Sequence, residues 1–173
     1  MNDFQLEKLK LQSKGGLQMT FRMAMAESGE EMSSTIKCPA GLSQEFTDTL
    51  DKLTVHLLRM NHVGGFGIFF TDLAKAEKKM GDAVKKLLEW TVFESLKLVY
   101  NKDGIQTGVQ VFGSMRSFLQ GEDVQIQTPV ISLLNDSYGE HGRELTEVVK
   151  KIERLCEEYT TQKVFVQLEL FGE

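Results

Sequence analysis

Four short blocks occur twice in this chain, in the same order. EKLKL (Glu7–Leu11) returns as ESLKL (Glu94–Leu98), and KGGLQ (Lys14–Gln18) returns as KDGIQ (Lys102–Gln106). IKCP (Ile36–Pro39) returns as IQTP (Ile126–Pro129), and FTDTLDKL (Phe46–Leu53) as LTEVVKKI (Leu145–Ile152). A single echo arises easily between amphipathic segments, whereas four in order point to two copies of one supersecondary unit. The chain then divides into a first repeat (residues 1–61), a glycine hinge with a linker helix (62–92), a second repeat (93–162) and a C-terminal segment (163–173).

The unit can be read from its periodicities. Leu17, Met19, Phe21, Met23 and Met25 alternate with Gln18, Thr20, Arg22 and Ala24, the pattern of a half-buried strand. Gly15-Gly16, and Lys102-Asp103-Gly104 in the second copy, precede such strands as hairpin turns. Glu30 to Cys38 reads as a third strand that Pro39 stops. A helix follows from about Leu42 to Met60, with Phe46, Leu50, Leu53, Leu57 and Met60 on one stripe. A second helix, roughly Tyr138 to Tyr159, carries Leu145, Val148, Val149, Ile152 and Leu155 in the same way. The fold expected is α+β: two tandem β-β-β-α repeats with helices on one face of antiparallel sheets. Met19, Phe21, Met23, Leu50, Leu53, Val84, Leu87, Val111, Ile126, Val149 and Ile152 are the expected core. Between the copies, Gly64, Gly65 and Gly67 form a hinge without phosphate-loop spacing. A helix capped by Thr71 or Asp72 follows, with Leu73, Met80, Val84, Leu87 and Leu88 on its stripe. Gly113 interrupts the alternation of the long strand, where a bulge is expected.

Charge is sorted by element. The net charge is −5 over 173 residues, with a pI near 5.3. The acids gather on helices: Glu45, Asp48, Asp51, Glu77, Asp82, Glu89, Glu144, Glu147, Glu153, Glu157 and Glu158. The outward strand positions hold cations and amides instead. Lys8, Lys10, Lys14, Arg22, Lys37, Lys97, Lys102 and Arg116 are the expected nucleic-acid contacts, supported by Gln18, Gln106, Gln110, Gln125 and Gln127. Lysine and arginine neutralise phosphates and release counterions, and amides add hydrogen bonds. Tyr100, Phe112 and Phe118 are candidate stacking platforms for single-stranded bases. The bland account is that lysine and glutamine suit the wet face of any antiparallel sheet.

The tail QLELF (Gln167–Phe171) admits two readings. Val164, Val166, Leu168 and Leu170 alternate with Lys163, Phe165, Gln167 and Glu169, which suits a last strand entered through a Thr160-Thr161 turn. Gln167, Leu168, Leu170 and Phe171 also match the Q-L-S/D-L-F peptide by which bacterial and phage proteins dock on the replicative sliding clamp, with Glu169 in place of Ser or Asp. Leu170 and Phe171 would fill an apolar pocket, as a few anchors can dominate a small interface.

The chain as a whole resembles a family of small proteins from the early regions of phages and prophages. The resemblance rests on FESLKLVYNKDG, a long strand, Thr128-Pro129, the Asp136-Ser137-Tyr138 loop, an acidic helix and the Leu-Phe tail. It implies a phage or mobile-element origin and expression among replication and recombination genes, and hands over no activity. The strand face and the tail together give the expected function, a phage-type DNA replication or recombination accessory protein in the cytoplasm of a bacterial host. The repeated unit is also similar in outline to Whirly and coactivator-type single-strand binders.

Catalytic constellations are not evident. His56 and His62 lack metal-pair spacing, and His141 stands apart. Cys38 and Cys156 read as small core residues in a reducing compartment. The expectation is a non-enzymatic protein without cofactor or metal. No apolar run is long enough for a membrane span, and MNDFQLEKLK lacks a signal-peptide core. The expected partners are the bacterial sliding clamp and single-stranded DNA. The alternative is a factor that binds the host clamp or a host-defence protein without touching nucleic acid; a further reading is a homo-oligomer joined by sheet edges.

Overall fold

The computed structural model describes residues 4–13, 16–24, 31–38, 42–61, 78, 81–116 and 121–171, with Asp136 and residues 161–171 as backbone only. Its elements are β1 (Phe4–Leu11), β2 (Leu17–Ala24), β3 (Glu31–Cys38), α1 (Gln44–Met60), α2 (Asp82–Trp90), β4 (Thr91–Tyr100), β5 (Gln106–Arg116), β6 (Asp123–Gln127), β7 (Ile131–Ser132) and α3 (Glu140–Phe171). The strands form one antiparallel sheet in the order β3-β2-β1-β4-β5-β6, with β7 also paired to β5. Helices pack on one face, so the fold is α+β.

The alternation in β2 produces that layering. Leu17, Met19 and Phe21 are buried, while Gln18, Thr20 and Arg22 take the other face. Leu6, Leu9, Leu96, Leu98, Val109 and Val111 continue the covered face across the middle strands. Phe46, Leu50, Leu53 and Leu57 of α1 meet it, as do Leu145, Val149 and Ile152 of α3. Full burial of each such side chain stabilises the fold by roughly 1.5–3 kcal/mol. The expected core residues of the strands, α1 and α3 lie on this side, Met23 and Ile126 only partly covered; Val84 and Leu87 are buried in a separate small cluster.

α1 begins where Ser43 accepts a hydrogen bond from Phe46 N at 3.2 Å, satisfying an otherwise orphaned donor. It runs antiparallel to α3. Near its start, Glu45 meets Lys151 at 3.0 Å and Arg154 at 3.3 Å; near its end, Arg59 meets Glu144 at 3.1 Å. α2 places Val84 and Leu87 against Leu58 and Met115 at one margin of the core.

The pairing repeats itself between the halves of the sheet. β1 meets β4 through Lys8↔Lys97, Leu9↔Leu96 and Lys10↔Ser95. Leu9 thus faces Leu96, the residue that occupies its own place in ESLKL. In the β1–β2 ladder Glu7 is an extra residue between Leu6↔Phe21 and Lys8↔Thr20. In the β4–β5 ladder Glu94 is an extra residue between Phe93↔Gly113 and Ser95↔Phe112. These two bulges fall on the glutamate that opens the repeated block; a further shift in the β4–β5 ladder, between Val99↔Gly108 and Tyr100↔Gln106, has no counterpart in the β1–β2 ladder. The expected irregularity near Gly113 therefore arises in the strand opposite it.

Two expectations are corrected. Residues 163–171 form neither a last strand nor an extended peptide: the backbone of α3 is helical through Phe171. Thr160 is no turn either, because its hydroxyl donates to Cys156 O at 2.8 Å, a bond to the preceding helical turn. The physical reason is self-sufficiency. A strand here needs a neighbouring edge for its backbone groups, whereas a helix pairs them internally. Met25, Pro39, the glycines at 64, 65 and 67, Thr71, Asp72, Leu73 and Met80 lie outside the described residues.

Candidate nucleic-acid interface

The sheet face opposite the helices is uncovered by any described element. Lys8 and Lys97 stand directly opposite each other near its centre, a geometry that brings Cβ atoms within about 5 Å. Lys10 lies two residues along β1 on the same face, opposite Gln18 and Ser95. All three lysines are exposed. Among the described residues, no carboxylate oxygen lies within 4 Å of any of them.

The three glutamates on this face are engaged elsewhere. The bulge at Glu7 places its carboxylate on Arg22 Nε, and Glu31 reaches Arg22 Nη1 at 3.7 Å. The hydrogen bond and charge of Glu7 hold the Arg22 guanidinium above its ordinary pKa. Glu94, in the second bulge, accepts from Gln125 Nε2 at 3.3 Å. A shallow cleft of about 540 Å³ lies between these groups, lined by Glu7, Lys8, Thr20, Arg22, Lys97 and Val99.

The other expected contacts scatter. Lys37 is on the open face opposite Gln18, towards the β3 edge. Lys102 sits in the β4–β5 turn and Arg116 at the far end of β5, roughly 35 Å of strand apart. Lys14 lies outside the described residues. Phe112 shares the open face, opposite Ser95 and Gln127, and is half-buried. Tyr100 does not. It packs on the covered side, where its hydroxyl donates to Leu6 O at 2.7 Å and lies 3.1 Å from Glu153 Oε1. Tyr100 also borders the cleft of about 540 Å³, but with its hydroxyl tied to Leu6 and Glu153 it is not presented as a stacking platform on the open face; Phe118 lies outside the described residues. Of the tail, Gln167, Leu168, Leu170 and Phe171 occupy the final turns of α3.

The titratable groups with shifted pKa values gather mainly on the helical side. Burial raises Glu153, which borders a cleft of about 680 Å³ with Phe4, Gln5 and Lys150. Gln106 Nε2 donates to the same Glu153 oxygen at 3.0 Å. Burial likewise raises the Cys156 thiol; Cys38 and Cys156 are both buried and free.

A second cluster escaped the sequence reading. His56 is fully buried, with Nδ1 3.0 Å from Tyr138 Oη and Nε2 without a partner among the described residues. Arg59, Glu144 and His141 surround the pair. The antiparallel contact of α1 with α3, and the short 3-10 turn Asp136–Tyr138 just before α3, bring these groups together, across 82 residues for His56 and Tyr138. Desolvation, then the Arg59 charge, lowers the His56 pKa to about 4. The unfolded histidine takes up its proton near pH 6.5, whereas the folded one resists until about pH 4. Stability contributed by neutral His56 is therefore intact above pH 6.5 and falls by up to about 3 kcal/mol as pH drops towards 4. Urea unfolding at several pH values should show this slope, and His56→Gln should remove it. An unchanged slope in the variant would assign the acid sensitivity to other groups.

Among the described residues no group of three His, Cys, Asp or Glu side chains is placed to hold a metal ion, and no helix is long and apolar enough to cross a membrane. Comparison with protein families, curated proteins and solved structures finds no match.

Proposed function

We propose that the chain is a DNA-replication or recombination accessory protein that holds single-stranded nucleic acid on its uncovered sheet face. The supporting observation is the opposition of Lys8 and Lys97 at the centre of that face. Like charges directly opposite in a ladder are destabilising by themselves. A phosphate laid between them turns that cost into attraction. Lys10 extends the positive strip, and Phe112 offers a flat ring beside it. Exposed acids such as Glu45, Asp48, Glu147 and Glu158 sit on the helices, which gives the molecule a negative back and a positive front.

The same reading treats the two halves as copies of one β-β-β-α unit. Its support lies in the ladders. Partners in β1 and β4 recur 87 residues apart, as with Leu9 and Leu96. Partners in β2 and β5 recur 92 residues apart, as with Met19 and Val111. The third strands follow the second, since Glu31 and Asp123 hold matching places. In this reading the tail still docks on a sliding clamp; an extended peptide there requires the last turns of α3 to open. A phage-type origin fits these parts.

The test is binding of a fluorescent single-stranded oligonucleotide, titrated across salt. Three lysines on phosphates give a log–log salt slope of about −2. In parallel, clamp binding is compared between the native chain and Leu170→Ala/Phe171→Ala. Salt-independent association, or none at low salt, would remove the nucleic-acid role. Clamp binding unaffected by the double substitution would remove the docking role.

A further inference from the structure

β3 is the edge of the sheet in its first half. Among the described residues no strand pairs with its outer side. It runs eight residues without a bulge or a proline. An edge of that length is a ready template for another strand. The opposite edge, β6, has five residues, and Pro129 follows two positions later.

The sequence of β3, EMSSTIKC, is complementary to itself when run antiparallel. Rotate a second copy about an axis through Ser34, normal to the sheet. Glu31 then faces Lys37 of the other copy, Met32 faces Ile36, and Ser33 faces Thr35. Charge meets opposite charge, apolar meets apolar, and hydroxyl meets hydroxyl. Glu31 and Lys37 belong to the open face, as their β2 partners Ala24 and Gln18 do. Met32 and Ile36 belong to the covered face, with Met23 and Met19. Met32 is 47% exposed, and the other copy's Ile36 would cover it. A shift of two residues sets Met32 against Ser34, or Ser33 against Lys37. A shift of one residue sets opposite faces together.

We propose that β3 is a dimerisation edge that pairs antiparallel with β3 of a second copy of this chain about Ser34. The contact is isologous, the commonest arrangement of a homodimer, and its main-chain ladder is strand addition. The axis keeps both open faces on one side, so the strip of lysines continues from one chain to the next. Edge pairing buries less surface than a standard interface, so the dimer dissociates on dilution.

Sedimentation velocity of the full chain over a dilution series tests this. The native chain should move from dimer towards monomer as it is diluted. Glu31→Lys alone and Lys37→Glu alone should each weaken the dimer at least roughly tenfold, since each sets like charges opposite at both ends of the ladder. An equimolar mixture of the two variants should recover the dimer, because the added cations of one then face the added acids of the other. Circular dichroism checks that each variant is folded. As an independent measure, oxidised Ser34→Cys should give a covalent dimer, since paired strands bring these Cα atoms within disulfide range. A native chain that stays monomeric, a dimer indifferent to both variants, a mixture that stays monomeric, or a Ser34→Cys chain that does not cross-link would each overturn the proposal.

Discussion

Gly113→Val is expected to destabilise the protein by roughly 3 kcal/mol, the upper end for an overpacked core position. A Cβ at this position would stand 2.3 Å from Val92 O and 2.7 Å from Leu57 Cδ1. Neither neighbour can yield cheaply. Val92 O is backbone of the adjoining strand, held one step from the Glu94 bulge. Leu57 is fully buried on α1, so moving it opens the core between helix and sheet. The matching position in the first half is Phe21, whose ring packs on Phe4 with centroids 5.0 Å apart. The two halves fill the same place differently: the first from its own strand, the second with a leucine supplied by α1. Thermal unfolding should record a fall of about 10 °C for a chain of this size. Gly142→Ala, where a Cβ meets only Tyr138 Cβ at 3.7 Å, should leave the midpoint nearly unchanged. A Gly113→Val protein as stable as the native chain would refute the close approach of α1 to β5.

Lys8→Glu/Lys97→Glu is expected to weaken single-stranded oligonucleotide binding roughly a hundredfold. A hydrogen bond to a charged group contributes about 1.5–3 kcal/mol, and two lost at the lower figure correspond to about two decades in affinity. The double substitution also halts counterion release at both positions, so the salt slope should flatten from about −2 to about −0.7. Both side chains are exposed, so the change should spare folding. Comparison with Lys102→Glu separates the centre of the face from net charge. Lys102 lies in the turn at the end of the sheet, and its reversal should cost little. Equal losses from the two substitutions would mean that overall charge, rather than the opposed pair, governs binding.

Much of the layering was legible because water enforces it. A strand with one wet face must alternate, and Leu17, Met19 and Phe21 do so against Gln18, Thr20 and Arg22. The stripes of α1 and α3 are legible for the same reason. The bulges were not, because an extra residue in a ladder leaves composition unchanged and declares itself only against its partner strand. Hairpin length was illegible too: the sequence pairs Gln18 with Gln106, whereas the ladders give Gln110 the place of Gln18, because ten residues separate Leu98 from Val109 where five separate Leu11 from Leu17. The tail was misread because Val164 to Leu170 satisfies the period of a strand, while nothing in the residues says whether an edge is available to receive it. Of the candidate face, Lys8, Lys10 and Lys97 were legible as outward charges. That Lys8 and Lys97 stand opposite each other was not, since it depends on which strands become neighbours. The His56 cluster was invisible because His56 and Arg59 lie on α1, His141 and Glu144 on α3 and Tyr138 in the turn before α3, and no local pattern encodes their meeting.

On the proposed duplication, Leu9 and Leu96 meet at a local two-fold, but the side chains around it do not obey it. Arg22 occupies the place that Ser114 holds in the other half, and Thr20 the place of Phe112. One end of the face is therefore ionic and the other aromatic and amide-rich, with Gln110, Gln125 and Gln127. A nucleic-acid strand has a direction, and the two ends of such a surface are not interchangeable to it. On the proposed nucleic-acid role, the chain should sit on a bound strand in one 5′-to-3′ sense, and an oligonucleotide labelled at one end only should report different surroundings from one labelled at the other.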